Sequence, residues 1–359
     1  MMVTLDVAQA RLHNQRLSGT RFERPEEVVG WMGAVQSQDY PAAKWALGLR
    51  SRGAVDADVE RAFAEGTILR THVMRPTWHF VLPADIRWLL ALTGPRVNAV
   101  DASNYRALQL DEALFARTND VLAKALEGGQ QLTRPELGAV LQQAGIDTQD
   151  MRRLTHIMMR AELDGVVCSG AKRGKHLTYA LLDERAPQGR TLERDEALAE
   201  LTLRYFRSHG PAQVKDLVWW SGLTTGHVKT GIEMVKSHLT NETVEDQTYW
   251  FAESSRFEGD LSPTAYLLPN FDEYGVAYRD RSALVEPSSE KQDPQDSFYL
   301  GNLVVIDGKA VGSWKRTFSK DAVVISTHLY TSLNDAQEEA IKAAAHQYGA
   351  FLGMPVILS

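Results

Sequence analysis

The fold class is decided by residues 68–81, which read ILRTHVMRPTWHFV. Two runs rich in β-branched and aromatic residues flank Met74-Arg75-Pro76, a pattern typical of a β-hairpin. Three segments with helical patterns precede the hairpin, at residues 5–17, 25–40 and 56–65. The second segment begins with a proline and two acids, and we expect its helix to continue through Gln36 and Gln38. Three helices followed by a hairpin are the order of a winged helix.

Elements in the same order recur twice more along the chain. Thr133 and Glu136 are spaced as a capping box, which predicts the start of a helix. A helical pattern at 150–164 and a strand, a basic turn and a second strand at 166–181 follow. A third set occupies 209–251. Because the spacing of the sets varies, we interpret them as duplicated domains and not as a solenoid.

The sequence after about residue 256 changes character. Asp307-Gly308 lies between two apolar runs and predicts a type I′ hairpin, and residues 333–348 predict a closing helix. The predicted fold is therefore α+β and helix-rich, with three tandem winged helices and a β-rich C-terminal part. The predicted domains are winged helix 1 at 1–118, winged helix 2 at 119–190, winged helix 3 at 191–255 and the C-terminal region at 256–359.

Composition and charge exclude several classes of protein. The chain has 359 residues, a net charge of −7 and 44% hydrophobic residues, which are ordinary values for a globular protein. The acidic balance argues against a general nucleic-acid coat but allows positive charge concentrated on one face. We expect no membrane span, because no apolar run of about 18 residues is present, and no secretory signal, because no basic region followed by an apolar core opens the sequence. Cys168 is the only cysteine, which excludes an internal disulfide and fits a reducing cytoplasm.

Two sets of basic residues are candidates for contact with phosphates. The first lies on the predicted helix 150–164 and its wing: Arg152, Arg153, Arg160, Lys172, Arg173 and Lys175. A helix and a wing of one sign of charge suit a phosphate backbone, and no acid lies in the wing tip; the alternative is a solvated helix face paired with nearby acids. The second set lies on the predicted C-terminal hairpin: Lys309, Lys315 and Arg316. For that set, DNA contact and an ordinary surface hairpin fit the sequence equally well.

The candidate site of chemistry is Gln36-Ser37-Gln38-Asp39. Each hydrogen bond that a buried amide fails to make costs about 1–3 kcal/mol, so two adjacent amides require an explanation. On a regular helix residues two apart point about 200° apart, so both amides reach one pocket only if the helix unwinds. They can then hold a water molecule, and Asp39 can act as a base or stabilise a cationic sugar. The residues alone favour the alternative, a buried amide network with a structural Asp39.

Thr77 and His79 are candidate pocket residues, since they share one face of a predicted strand. The alternative is that His79 is a core histidine with satisfied hydrogen bonds, and Trp78 is expected in the hydrophobic core. No Gly-rich phosphate loop, nucleophile elbow or metal-ligand spacing is present. Asp272 and Glu273 lack a third ligand at a convincing spacing, so we expect no metal and no cofactor.

The chain resembles the AlkZ family of bacterial winged-helix DNA glycosylases, which includes AlkZ-like and YcaQ-like proteins. The resemblance rests on four runs, at residues 36–39, 75–80, 267–274 and 305–308 with 312–316. It spans almost the whole chain and implies winged helices arranged around a concave DNA-binding channel. It also implies hydrolysis, without a metal, of the N-glycosidic bond of bulky or crosslinked alkylpurines, typically of the N7-alkylguanine type.

The resemblance assigns roles to individual residues. Gln36 and Gln38 match the glutamine pair of the AlkZ branch and position the attacking water, whereas Ser37 stands where family members often carry a larger or more apolar residue. The DNA-contacting hairpin of the family maps onto the Asp307-Gly308 turn.

With the roles that the resemblance implies, we expect a monofunctional, cytoplasmic and monomeric glycosylase that associates with the nucleoid when bound to DNA. Its expected partner is double-stranded DNA with alkylated purines, with no nucleotide cofactor and no membrane. The alternative functions are a non-catalytic winged-helix DNA-binding protein or transcriptional regulator, and a scaffold that binds no DNA.

Overall fold

The computed structural model of the chain describes residues 5–252, 263–285 and 297–359. The chain forms two compact units. The first unit comprises Met1–Val59, Ala199–Trp220 and Thr224–Ser359, and the second comprises Glu60–Leu198 and Ser221–Leu223. Within the described ranges, no helix is both long and apolar enough to cross a membrane.

The N-terminal part of the first unit differs from the prediction at the second helix. Its elements are α1 (Val7–Asn14), α2 (Pro25–Met32), β1 (Val35–Gln36), α3 (Tyr40–Arg50) and the start of α4 (Asp56–Glu65). The expected continuation of α2 through Gln38 is wrong. Gly33 adopts a φ of +82° and its N–H bonds to the carbonyl of Val29, which ends the helix.

Helix α3 was not predicted, because Tyr40-Pro41 was interpreted as the end of a helix. Instead it marks the beginning of one. The Asp39 carboxylate accepts a hydrogen bond from the Ala42 N–H at 3.2 Å, and Pro41 lies in the first turn, where no intrahelical donor is needed. A short extended segment therefore separates two helices.

The second unit contains the predicted hairpin and the second helix–wing set. Its elements after α4 are β2 (Leu69–Val73), β3 (Arg75–Val81), α5 (Ile86–Ala107), α6 (Glu112–Leu126), β4 (Leu132–Thr133), α7 (Arg134–Gln143), α8 (Met151–Leu163), β5 (Val167–Ser169), β6 (Thr178–Leu181) and α9 (Leu182–Arg185). Strands β2 and β3 pair antiparallel, and β4, β6 and β5 form a sheet in that order. The capping box between Thr133 and Glu136 is confirmed at the start of α7.

The remaining elements belong mainly to the first unit. They are α10 (Arg194–Ser208), α11 (Val214–Ser221), α12 (Thr225–Val235), β7 (Thr240–Val244), β8 (Gln247–Phe251), β9 (Ala265–Leu268), α13 (Glu273–Val276), β10 (Leu303–Ile306), β11 (Lys309–Phe318), β12 (Val323–Leu329), α14 (Asp335–Leu352) and β13 (Val356–Leu358). A five-stranded sheet has the order β13-β12-β11-β10-β9. Its strands are antiparallel except for the β12–β13 pair.

An aromatic cluster joins this sheet to its flanking helices in the core of the first unit. The Tyr348 ring lies 5.0 Å from Trp45 and 5.2 Å from Trp314, measured between ring centroids. Both indole N–H groups donate at 2.7 Å to strand β9, to the carbonyls of Leu267 and Leu268. Both buried indole N–H groups are thus paired while the apolar faces of the rings stay packed.

The α+β character of the chain agrees with the prediction, whereas three winged helices remain a prediction. The predicted boundary at residue 118 lies inside α6, so a division there would cut a continuous helix. The boundary at 190 lies between α9 and α10. Residues 255 and 256, at the last predicted boundary, lie outside the described residues.

Candidate active site

The Gln36–Asp39 segment has an extended and then bent backbone and is not helical. Gln36 belongs to β1, and Ser37 and Gln38 precede the cap of α3. Because the segment is not helical, the helical-phase objection to a cooperating pair no longer applies. Gln36 is only 6% exposed, whereas Gln38 is exposed. The pair therefore combines one buried and one solvent-facing amide.

A buried carboxylate holds the backbone at the first glutamine. The Gln36 N–H donates to Glu273 Oε1 at 2.6 Å, across 237 residues of sequence. Trp220 Nε1 donates to Glu273 Oε2 at 2.9 Å, and His209 Nε2 lies 3.5 Å from the same oxygen. Glu273 has no solvent exposure. The carboxylate thus clamps β1 to α11 and α13 and restricts where the glutamine segment can lie.

An ion pair at the N-cap residue of α13 supports the same helix. Arg50 donates to both carboxylate oxygens of Asp272, each at 2.8 Å. Its other three donors reach the Ala46 carbonyl, the Gln15 carbonyl and the Gln15 side-chain oxygen. All five N–H groups of this buried guanidinium are therefore satisfied. Because Asp272 and Glu273 are adjacent, the ion pair also positions the carboxylate that holds Gln36.

His209 is the titratable neighbour of this carboxylate. Burial lowers its pKa below the ordinary value for histidine, and Glu273 opposes that shift only in part. The imidazole stacks on Tyr205 at 4.9 Å between centroids, and Nδ1 lies 2.8 Å from Ser208 Oγ. A depressed pKa makes the neutral imidazole the resting form near pH 7.

Asp39 is engaged at both carboxylate oxygens. Oδ1 caps α3, and Oδ2 accepts a 3.4 Å hydrogen bond from Asn270 Nδ2. The Asn270 N–H in turn donates to Asn302 Oδ1 at 2.9 Å. These contacts give Asp39 the structural role that the residues alone favoured, and its part in chemistry remains a prediction.

The chain matches a known family over most of its length. Residues 29–351 match the family described as DNA glycosylase AlkZ-like. The chain belongs to the AlkZ-like DNA glycosylases. These enzymes are hydrolases that act on N-glycosyl bonds, and the AlkZ-like assignment covers both the glutamine segment and the carboxylate that holds it.

Two known proteins are similar to this chain over almost its whole length. An interstrand DNA cross-link repair glycosylase of Streptomyces sahachiroi is 25% identical over 356 residues, which cover 94% of this chain and 93% of the relative. The solved structure of the Streptomyces sahachiroi DNA glycosylase AlkZ shares the fold, with a TM-score of 0.79 at 22% identity. That comparison covers 99% of this chain and 98% of the other.

Thr77 and His79 of this AlkZ-like chain lie on β3, in the second unit, whereas the glutamines belong to the first unit. His79 is fully buried, and its Nδ1 lies 3.0 Å from the Thr77 carbonyl. Their membership in the pocket of the glutamines remains a prediction. The expectation for Trp78 is wrong, because it is only half-buried and lines a cavity.

The predicted DNA-binding arginines of α8 are engaged with nearby groups. Arg152 pairs with Asp150 at 2.9 Å, and Arg153 donates to the Asp147 carbonyl at 2.9 Å. Arg160 contacts both oxygens of Glu112 and also bonds to Asp164 at 2.7 Å. This arrangement matches the alternative of a paired helix face, so contact with DNA here would require these pairs to open.

The wing between β5 and β6 is basic as predicted, but acids from elsewhere in the chain reach it. Lys172 pairs with Glu60 at 3.2 Å, and Arg173 pairs with Glu136. The local sequence of the wing tip therefore does not determine the net charge of the wing in the fold. Lys175 is exposed and forms no ion pair within the part of the chain that the structure describes.

The Asp307-Gly308 turn has the backbone of the predicted hairpin, with φ of +49° and +86°. It packs against the protein, because Gln9 Nε2 donates to the Asp307 carbonyl and the Tyr274 hydroxyl donates to the Gly308 carbonyl. Lys309 donates to the Ala283 carbonyl. This packing argues against mapping the DNA-contacting hairpin onto that turn.

The next hairpin, between β11 and β12, is the exposed one. Phe318 at its end is 56% exposed, and Lys315 and Lys320 are also exposed. Arg316 lies over the Tyr348 ring at 5.8 Å. An apolar ring between lysines is the composition of side chains that enter a minor groove. The predicted residues Lys315 and Arg316 thus lie on a different hairpin end from Lys309.

Sequence reasoning missed Glu273 and Arg50 as parts of the site. A signal was present, since Asp272-Glu273 are two adjacent acids that directly follow an apolar run. Apart from the family resemblance, the sequence suggested for them only the role of metal ligands. Among the described residues, no group of three His, Cys, Asp or Glu side chains is arranged to hold a metal ion.

Proposed function

We propose that this chain is a monofunctional DNA glycosylase that hydrolyses the N-glycosidic bond of bulky or crosslinked alkylpurines of the N7-alkylguanine type. The observation that carries the proposal is the hydrogen bond from the Gln36 N–H to the buried Glu273 carboxylate, in the same segment as the exposed Gln38. A buried charged group that fixes one short backbone segment is the kind of support expected for a site that needs accurate positioning.

The chemistry suits two neutral amides. An N7-alkylated guanine carries a positive charge, so the bond from C1′ to N9 breaks with its electron pair going to the base, which leaves neutral. Gln36 and Gln38 hold a water whose oxygen bonds to C1′, and the water proton passes to solvent or to Asp39. The products are the free base and an abasic site. No strong acid is needed, because the leaving group is already activated.

The cross-link repair activity in the name of the Streptomyces relative points to the same class of lesion. We propose that this chain also releases crosslinked purines. The test incubates purified protein with duplex DNA that carries one N7-alkylguanine or one crosslink through that position. Base release and unhooking are followed by chromatography and denaturing gels, with undamaged duplex as the control. Binding to a specific operator sequence without base release would favour the alternative function, a transcriptional regulator.

We also propose that the β11–β12 hairpin contacts the duplex. Lys315→Ala is expected to weaken binding of duplex DNA and to reduce the slope of log K against log salt by about 1, since one phosphate contact is lost. Phe318→Ser is expected to weaken binding with little change in slope, because the ring carries no charge. Fluorescence anisotropy at several salt concentrations measures both effects.

Two exposed residues of the first unit serve as matched controls for the hairpin. Lys342→Ala removes an exposed lysine of α14, and Val55→Ser removes an exposed apolar side chain. Both are expected to bind duplex DNA as the wild type does. Wild-type affinity and slope in the two hairpin variants would show that the hairpin stays off the DNA.

A further inference from the structure

A cavity of about 320 Å³ lies within the second unit, to which all of its lining residues belong. It is open to solvent at the base of the β5–β6 wing and at the first turn of α7. Its lining includes Arg70, Trp78, Arg134, Glu162, Lys175 and Tyr179. Its volume is at the lower end of the range for small-molecule sites.

Positive charge predominates in the lining. Arg70, Arg134 and Lys175 are cationic, and Glu162 is the one carboxylate among the lining residues. Glu162 is buried and already accepts from Trp78 Nε1 at 3.3 Å and pairs with His72. Its charge is therefore partly used by protein donors, and the cavity keeps an excess of cations.

Two of the cations are available to an anionic ligand. Arg134 donates to the neutral Tyr179 hydroxyl at 3.0 Å and forms no ion pair within the described ranges. Lys175 is exposed and likewise has no carboxylate partner there. Lys172 and Arg173 lie on the same wing as Lys175, but each of them forms an ion pair with a glutamate. The unneutralised charge is thus concentrated at the cavity.

Trp78 holds the guanidinium groups in place. The guanidinium carbon of Arg70 lies 4.4 Å from the centre of the Trp78 ring system, and that of Arg134 lies 5.4 Å from it. The His72 ring lies 4.1 Å from the same indole. Cation–π contacts restrain the arginines before any ligand arrives, which lowers the entropic cost of binding. Because its ring is already covered, Trp78 is not free to stack on a base.

We propose that this cavity binds a phosphate group through Arg134, Lys175 and Arg70, with room for the sugar attached to it. Guanidinium groups match phosphate oxygens in geometry and charge. The phosphate comes either from the backbone of a DNA strand or from a free nucleotide. The first source rests on the proposed function as a DNA enzyme, whereas the second is independent of it.

The test compares Arg134→Gln and Lys175→Ala with Lys124→Ala, which removes an exposed lysine of the same unit. One arm measures binding of an undamaged duplex by fluorescence anisotropy at several salt concentrations. The other measures binding of 2′-deoxyguanosine 5′-monophosphate by calorimetry. If the source is DNA, each cavity variant binds the duplex several-fold more weakly with a salt slope reduced by about 1. If the source is a free nucleotide, the wild type binds the monophosphate and the variants do not.

Unchanged binding of both probes in both cavity variants overturns the proposal, as does an equal loss in Lys124→Ala. Lys175 is exposed, so its variant is expected to fold and keeps the test decisive. Neither arm requires base release. The result for phosphate binding by the cavity is therefore independent of whether the chain has glycosylase activity.

Discussion

Replacing Gln36 or Gln38 with alanine is expected to lower the rate of base release from N7-alkylguanine DNA on the order of a hundredfold or more, as for the loss of a positioned catalytic group. Each variant loses one of the two amides that orient the water, and the nucleophile then spends less time in line with C1′. Affinity for undamaged duplex is expected to stay near that of the wild type. Single-turnover assays with excess protein measure the rate.

The two glutamines differ in burial, so their variants need different controls for folding. Gln38 is exposed, so Gln38→Ala is expected to fold normally, whereas Gln36 is buried and its variant needs a melting curve. Gln36→Met keeps the side-chain volume without the amide and separates packing from chemistry. Gln142→Ala removes an exposed amide from α7 and is expected to be fully active. Wild-type release by both Gln38→Ala and Gln36→Met would refute the two-amide mechanism.

Replacing Arg50 with methionine is expected to cost about 3–5 kcal/mol of unfolding free energy, because it leaves the buried Asp272 carboxylate without its partner. The variant also frees α13, so Glu273 is expected to hold Gln36 less well and base release to fall. Denaturant unfolding measures the first effect. Thermal unfolding gives a second measure, provided that the transition is reversible.

Arg52 provides a matched control two residues further along the chain. It pairs with Glu23 at 3.4 Å, and both side chains are about two-thirds exposed. Arg52→Ala is therefore expected to change the unfolding free energy by less than about 1 kcal/mol. Combining Arg50→Met with Asp272→Leu removes both charges and is expected to recover part of the loss. A loss in Arg50→Met no larger than that in Arg52→Ala would contradict the assigned role of the ion pair.

The helix start at Thr133 shows what the sequence predicted well. Its capping box involves residues three apart, and the structure contains it as expected. The Asp307-Gly308 turn is a second example, because its positive φ angles follow from the two residues themselves. The break after Met32 was missed because the apolar pattern continues past Gly33, and the pattern does not reveal that Gly33 adopts a positive φ.

The charge of the wing shows where local inference was insufficient. Lys172 and Arg173 formed an acid-free basic tip in the sequence, yet Glu60 and Glu136 neutralise them in the fold. Lys175 and Arg134 retain their charge, although the sequence did not distinguish Lys175 from its neighbours. Ion pairing depends on which side chains come within about 4 Å, and for Lys172 that neighbour lies far away in sequence.

Local sequence was sufficient to determine the β2–β3 hairpin, the Asp307-Gly308 turn, the capping box at Thr133 and the glutamine pair as a candidate, because each depends on residues a few positions apart. Long-range contacts determined whether that candidate is a supported site. Gln36 acquires its position from Glu273, which lies 237 residues away, and Glu273 is held beside the Arg50–Asp272 ion pair. The free-energy cost of burying each charged group is offset only when the fold brings its hydrogen-bond and ion-pair partners next to it. That convergence is a property of the packed chain, and no spacing within the Gln36–Asp39 segment encodes it.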